Sequence, residues 1–235
     1  MKTITIGDIH GVEDWKKVDP YQYDKIIFVG DYVDSFGLKD EDIFANLLDI
    51  IAFKEAYPDK VVLLLGNHDI QYLFQYSQYG CSGFRSTMYP SLHAIFNDKK
   101  KLFQVSYLIQ NEDFDYLWTH AGVHSGWYKQ YFYPKFIRRV GMEDRKIDEQ
   151  IEAAFLDEEY SLFQVGHLRG GYESVGGIFW ADKRLTSQKP LARYHQIVGH
   201  THVPEIHTVD IDFYTSITYV DCLQDKHDFY KLEIY

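Results

Sequence analysis

Three observations predict an α/β fold for this 235-residue chain. Five short apolar runs each stop at a glycine or a histidine. Stretches of helical period lie between them. No internal repeat, low-complexity tract or linker interrupts the series. A chain of this length buries a sizeable core.

The first run, KTITI (2–6), stops at Gly7; KIIFV (25–29) stops at Gly30; VVLLL (61–65) stops at Gly66. All three are nearly all apolar, as strands covered on both faces are. DYLWT (115–119) stops at His120, and HQIV (195–198) at Gly199. Val, Ile, Leu and aromatic residues closed by a turn signal read as strands. ITYVD and DFYKLEIY near the end read as two more. Helices are expected over Asp40–Tyr57, ending before Pro58, then over Ile70–Tyr79, Ser91–Phe96 and Glu143–Leu156. The last is acidic and reads as a solvated face. The segment 123–193 is the least regular and reads as an insertion that shapes a substrate pocket. It carries WYKQYFYPKF (127–136) and RGGYESVGG (169–177). Packing explains most of the chain's aromatics, and the 127–136 run is also a candidate pocket floor.

The formal net charge of -11 argues against an extended nucleic-acid or anionic-membrane surface. Two cysteines, Cys81 and Cys222, are too few for a disulfide framework and read as buried small hydrophobes in a reducing compartment. The start MKTITIGDIHG has no apolar stretch of signal-peptide length, and no run is long enough to span a bilayer. A soluble, cytoplasmic protein is expected.

Each of five short polar motifs follows a predicted strand. In order these are GDIHG (7–11), GDYVD (30–34), GNHD (66–69), THAG (119–122) and GHTH (199–202). Open α/β sheets bind ligands beyond the carboxyl ends of their strands, so five such loops can converge. The motifs offer Asp8, His10, Asp31, Asn67, His120, His200 and His202 as ligands. Two cations about 3.5–4 Å apart can clamp a phosphate and activate a water. Asp31 is the natural bridge between them. Asp8, His10 and His202 would complete one ion; Asn67, His120 and His200 would complete the other. Imidazole with carboxylate suits Mn, Fe, Zn or Ni. His68 stands beside Asn67 and, paired with Asp34, is the acid–base candidate. Singly, each motif could be a turn, and GNHD a helix start capped at Asp69. The remaining histidines, His93, His124, His167, His195, His207 and His227, read as packing or surface residues.

These motifs resemble the calcineurin-like metallophosphoesterase superfamily. Within it, GDIHG, GDYVD, GNHD and HAG are most similar to the serine/threonine protein phosphatase branch and to the symmetrical diadenosine tetraphosphatases. The resemblance implies a single domain over 1–235, built as two facing mixed β-sheets flanked by helices. It implies two divalent ions, manganese first among the candidates, held by Asp8, His10, Asp31 and His202 and by Asp31, Asn67, His120 and His200. It also implies His68 with Asp34 as the general acid, and in-line attack by a metal-bridging hydroxide on a phosphorylated protein or nucleotide. Two features depart from the phosphatase branch. Ser35 and Phe36 follow GDYVD where that branch has Arg-Gly, so Arg169 is the candidate phosphate clamp. Arg85 and Arg184 are weaker candidates. The second histidine of GHTH is a feature of the wider superfamily. A phosphoanhydride hydrolase or phosphodiesterase is the enzymatic alternative, and a metal-binding scaffold the non-enzymatic one.

Overall fold

The computed structural model describes residues 1–35, 37–74 and 80–235. Its contacts gather into two compact units. The first comprises Met1–Gln104, His202–Ile206 and Val220–Tyr235; the second comprises Val105–Thr201 and His207–Tyr219. Each holds one mixed five-stranded sheet with helices packed on it, so two mixed sheets flanked by helices are what the sequence expectation meets.

The first sheet runs β10-β1-β2-β3-β4. β1 (Lys2–Ile6), β2 (Lys25–Phe28), β3 (Val61–Leu64) and β4 (Phe103–Gln104) are parallel; β10 (Tyr230–Glu233) is antiparallel to β1. In register, Ile6 pairs with Phe28 and Phe28 with Leu63. Parallel neighbours end on the same edge, so GDIHG, GDYVD and GNHD leave the sheet side by side. β2 and β3 are buried almost throughout, as their uninterrupted apolar sequence requires. Helix α1 (Asp40–Ala56) buries Ile43, Asn46, Leu47, Ile50 and Ile51 along one stripe. Three acidic residues open it, complementing the positive end of its dipole. Asn46 is buried without cost to its amide, which accepts from Trp15 Nε1 (2.8 Å) and donates to the Val12 carbonyl (3.2 Å). Helix α2 spans Asn67–Leu73. The expected helix over Ile70–Tyr79 overlaps α2 as far as Leu73, and its residues 75–79 lie outside those described. The next helix, Tyr89–Asp98, is longer than expected and carries Pro90 in its first turn.

The second sheet runs β5-β6-β7-β9-β8. β6 (Asp115–Thr119), β7 (His195–Val198) and β9 (Thr215–Tyr219) are parallel; β5 (Ser106–Gln110) and β8 (His207–Asp212) are antiparallel edges. THAG and GHTH follow β6 and β7. The 127–136 run forms a single helical rod rather than an irregular loop. It is α-helical over Ser125–Trp127, π-helical over Tyr128–Ile137 and α-helical again to Val140. Trp127, Phe132 and Phe136 are buried and stacked, with centroids 4.8 and 5.9 Å apart. They form core, which removes them as a pocket floor. The helix Ile147–Leu156 buries Ile147, Gln150, Ile151 and Ala154. Its acidic face is not purely solvated, because Glu152 Oε1 accepts from the Val105 (2.7 Å) and Ser106 (2.9 Å) backbone N–H groups. Among the described residues, no helix is long and apolar enough to cross a membrane.

Candidate metal centre

In the first unit, three motif loops are sewn together by their backbones. The Ile9 and His10 N–H groups donate to the Asp31 carbonyl at 3.1 and 2.7 Å. The Asp69 carboxylate accepts from Asp31 N (2.7 Å), Tyr32 N (2.9 Å) and Gly66 N (2.8 Å). Asp69 therefore caps α2, as expected, and also grips the second motif. Gly66 lies so close to Asp31 that a Cβ there would stand 2.6 Å from its nitrogen and 2.8 Å from its Cγ. Close approach, more than a turn, is what requires glycine at that position.

These contacts place side chains together. His10 Nδ1 lies 2.9 Å from the Val33 carbonyl, which fixes it as the N–H and turns Nε2 toward Asp31 Oδ2 at 3.7 Å. His68 donates its backbone N–H to Asp31 Oδ1 (2.9 Å). Ligand atoms of His10, Asp31 and His68 all lie within 4.8 Å of one another. The His10 and His68 rings meet edge to face at 5.0 Å. Asp8 is buried and hydrogen-bonded to Asp221. His68 Nδ1 lies 3.0 Å from Asp34 Oδ2, and Gln71 Nε2 and the Tyr72 hydroxyl also donate to Asp34. Burial pushes the His68 imidazole down, but the Asp31 charge and the Asp34 hydrogen bond outweigh it and leave its pKa well above the ordinary histidine value.

Asp221 is the residue that sequence reading missed. In sequence it reads only as the end of ITYVD, yet it follows a parallel strand just as the motif aspartates do. Burial, together with the Asp31 charge, pushes its pKa up to about 6, against the pull of His10, His202 and the Asp8 hydrogen bond. His202 belongs to this unit as well. It is exposed, and its Nε2 lies 2.8 Å from Asp225 Oδ2. Asn67 is buried at the first position of α2. Arg85 is spent on the loop after GDYVD, where it holds Asp40 and the Ser35 and Leu38 carbonyls.

In the second unit, His120 follows β6 and His200 follows β7. Their rings stand 5.1 Å apart, joined by a 2.8 Å bond from Gly199 N to the His120 carbonyl. The Trp180 ring meets His200 edge-on at 5.8 Å. Arg169 pairs through Nε with Asp182 Oδ2 at 2.9 Å and donates to the Thr201 hydroxyl inside GHTH. Asp182 also binds Arg184, through Nε (2.8 Å) and Nη2 (3.0 Å). Burial opposes the Asp182 charge, but Arg184 and Arg169 hold its carboxyl below the usual range. Of the other histidines, His124 is buried and caps Ser125–Trp127, His93 bonds the Tyr72 carbonyl, His195 bonds Ser216, and His227 bonds Asp14.

The donors fit divalent cations. Asp8, Asp31, Asp34 and Asp221 are all at most 7% exposed within one unit. Buried carboxylates at such density need a compensating positive charge. The donor atoms are oxygen and imidazole nitrogen, the set that Mn, Fe, Zn and Ni accept. A donor group of this kind, beside a histidine held by a carboxylate, defines the class: a hydrolase that works through bound metal.

Comparison with known proteins agrees. Residues 1–204 match the family model described as calcineurin-like phosphoesterase. The chain belongs to the calcineurin-like phosphoesterase family and is a metal-dependent phosphatase. No curated protein sequence matches it. Among solved structures, the cold-active protein-tyrosine phosphatase of the psychrophile Shewanella sp. is similar at 17% identity and a TM-score of 0.53, over 94% of this chain and 71% of that one. A second structure of a cold-active protein tyrosine phosphatase is similar at 16% identity and a TM-score of 0.53, over 94% and 69%. At such identity these likenesses speak to the fold.

Proposed function

We propose that this chain hydrolyses phosphomonoesters with two divalent cations, manganese first among them. Asp8, His10, Asp31 and His202 would hold one ion, and Asp31, Asn67, His120 and His200 the other. The observation that carries the reading is the His68–Asp34 pair beside His10 and Asp31. Bound cations supply Lewis-acid polarisation of the phosphate and a water-derived nucleophile. The chain's own residues do the rest. His68, oriented through Nδ1 by Asp34, gives a proton from Nε2 to the leaving oxygen. Gln71 and Tyr72 fix Asp34, so the acid is held in one rotamer. Arg169, aligned by Asp182 and Thr201, offers its remaining N–H groups to phosphate oxygens. Residues 1–235 act as one catalytic domain, with 123–193 shaping the substrate pocket.

GDIHG, GDYVD, GNHD and HAG favour the serine/threonine phosphatase branch. Ser35 in place of that branch's arginine keeps open the second reading, hydrolysis of a dinucleoside polyphosphate anhydride. A panel in Mn²⁺ separates them: phosphoserine, phosphothreonine and phosphotyrosine peptides, mononucleotides, diadenosine tetraphosphate and a phosphodiester reporter. Faster turnover of phosphopeptides supports the first reading, and of the tetraphosphate the second. Absence of turnover with every substrate and metal would remove both.

A further inference from the structure

Cys81, which reads in sequence as a buried small hydrophobe, lies beside the His68–Asp34 pair. Its Sγ lies 3.6 Å from His68 Nδ1, and Asp34 Oδ2 lies 3.0 Å from the same nitrogen. The three ligand atoms are all within 4.8 Å of one another. Tetrahedral zinc takes sulfur at about 2.3 Å and nitrogen or oxygen at about 2.05 Å. Those bonds demand an S···N edge of about 3.5 Å and an N···O edge of about 3.3 Å. The observed edges are close to both. One thiol, one imidazole and one carboxylate are also a donor set that zinc prefers, since a thiolate disfavours manganese.

The cluster is braced by one residue. The Gln71 amide donates through Nε2 to Asp34 and accepts through Oε1 from the Cys81 backbone N–H at 3.0 Å. Asp34 is fully buried at its side chain, and the Tyr72 hydroxyl fixes its other oxygen. Cys81 also reaches the Asn67 carbonyl at 3.8 Å, which turns the sulfur into the cluster. Outer contacts of this sort hold ligands in place for a metal.

We infer that Cys81 Sγ, His68 Nδ1 and Asp34 Oδ2 form an inhibitory zinc site, separate from the two hydrolytic ions. Zinc there occupies the nitrogen and the oxygen that make the acid pair. His68 loses its orienting bond, and the leaving oxygen loses its proton donor. The inhibitory consequence rests on His68 being the general acid. The zinc site itself does not.

The test uses the manganese-loaded full chain. Zinc is titrated in the presence of excess Mn²⁺, with turnover of an alkyl phosphate, whose leaving group needs a proton, and alkylation of Cys81 by iodoacetamide followed together. Turnover and alkylation are expected to fall at least tenfold in parallel. Cys81→Ser should keep its turnover and need at least tenfold more zinc for the same inhibition. Cys81→Ala repeats the comparison should serine disturb the fold. Equal zinc sensitivity in wild type and variants, or unchanged alkylation, overturns the site. A cobalt(II) titration reads binding without turnover, through a thiolate-to-cobalt charge-transfer band present in wild type and absent in Cys81→Ser. An inactive chain that gives the band keeps the site and loses the hydrolytic reading. An active chain without the band loses the site alone.

Discussion

Asp69→Asn should loosen the first unit and dismantle its site together. Asp69 is fully buried, and its two oxygens accept from three backbone N–H groups, those of Asp31, Tyr32 and Gly66. Asparagine offers one acceptor oxygen in place of two. With its oxygen in the Oδ2 position, it keeps the bonds from Asp31 and Gly66 and sets its NH₂ against Tyr32 N–H. Turned over, it keeps only Tyr32. Each lost bond removes about 0.5–1.5 kcal/mol, and each buried donor left unsatisfied costs about 1–3 kcal/mol. The better orientation therefore loses about 2–4 kcal/mol. Urea unfolding in EDTA, followed by tryptophan fluorescence and far-ultraviolet circular dichroism, measures this directly. Activity should fall further than stability explains, because the N–H set against the new NH₂ is that of Tyr32, next to Asp31 in the chain, and its displacement moves the Asp31 carboxylate. A displacement of about 1 Å at such a group costs on the order of 100-fold in rate. Asp69→Ala, which abandons all three donors, should be worse on both counts. A stability change for Asp69→Asn below about 1 kcal/mol would refute the reasoning, for it would mean that another acceptor serves these N–H groups.

Three further outcomes are expected. His68→Asn should lower kcat by roughly 100-fold or more on an alkyl phosphate, and less on p-nitrophenyl phosphate, whose leaving group needs no proton; metal content measured by atomic emission should stay normal. Phe132→Ala, in the stack between Trp127 and Phe136, should destabilise the second unit by about 3–5 kcal/mol in a urea titration. For Glu152, burial raises the folded-state pKa above 4.5, against the donors of Val105 and Ser106. The folded state thus holds this proton more tightly than the unfolded one. Its contribution is fully present below about pH 4.3 and is lost as pH rises through the folded value. Glu152→Gln keeps an acceptor oxygen for the same donors without the charge. The Tm of Glu152→Gln minus that of wild type should therefore grow between pH 4 and pH 7, and a constant difference would count against this assignment.

Where the sequence was legible, the physics was local. β1, β6 and β7 begin and end where their apolar runs do, because a glycine or a polar motif residue stops each one. β8 was not legible, since five of its six residues are exposed and HTVDID has no apolar run to read. β4 is two residues long. The helix through Tyr128–Ile137 hides behind Pro134 and a π-helical period, so its aromatics do not fall at the 3.6-residue spacing. The same division holds in the site. Asp34 could be matched to His68 because both lie in recognisable motifs. Cys81 and Asp221 lie in none, and only the folded chain brings one to His68 and the other to Asp8. Arg169 is legible in sequence as a charge beside two glycines; its pairing with Asp182 is visible only in the folded chain.

The motif loops also carry backbone strain, and its placement is informative. His10 (φ 42°), Asp31 (φ 53°), Asp34 (φ 65°) and His200 (φ 62°) all sit in the left-handed region. That conformation costs a residue with a Cβ roughly 1–2 kcal/mol. Glycine would relieve each position, but glycine has no ligand atom. The chain keeps the side chain and accepts the strain, as functional sites do when surrounding contacts over-determine them. His10 N is held by the Asp31 carbonyl, Asp31 N by the Asp69 carboxylate, and the Asp34 side chain by His68, Gln71 and Tyr72. Three strained residues in the first unit represent about 3–6 kcal/mol, a large part of what a domain of marginal stability has in hand. Removing one tether lets the strained loop relax and recovers part of that energy, so losses at Asp69 and at Asp34 should fall short of the sum of their own bonds, and a double variant of the two, measured beside the singles, reads how far both tethers oppose the same strain.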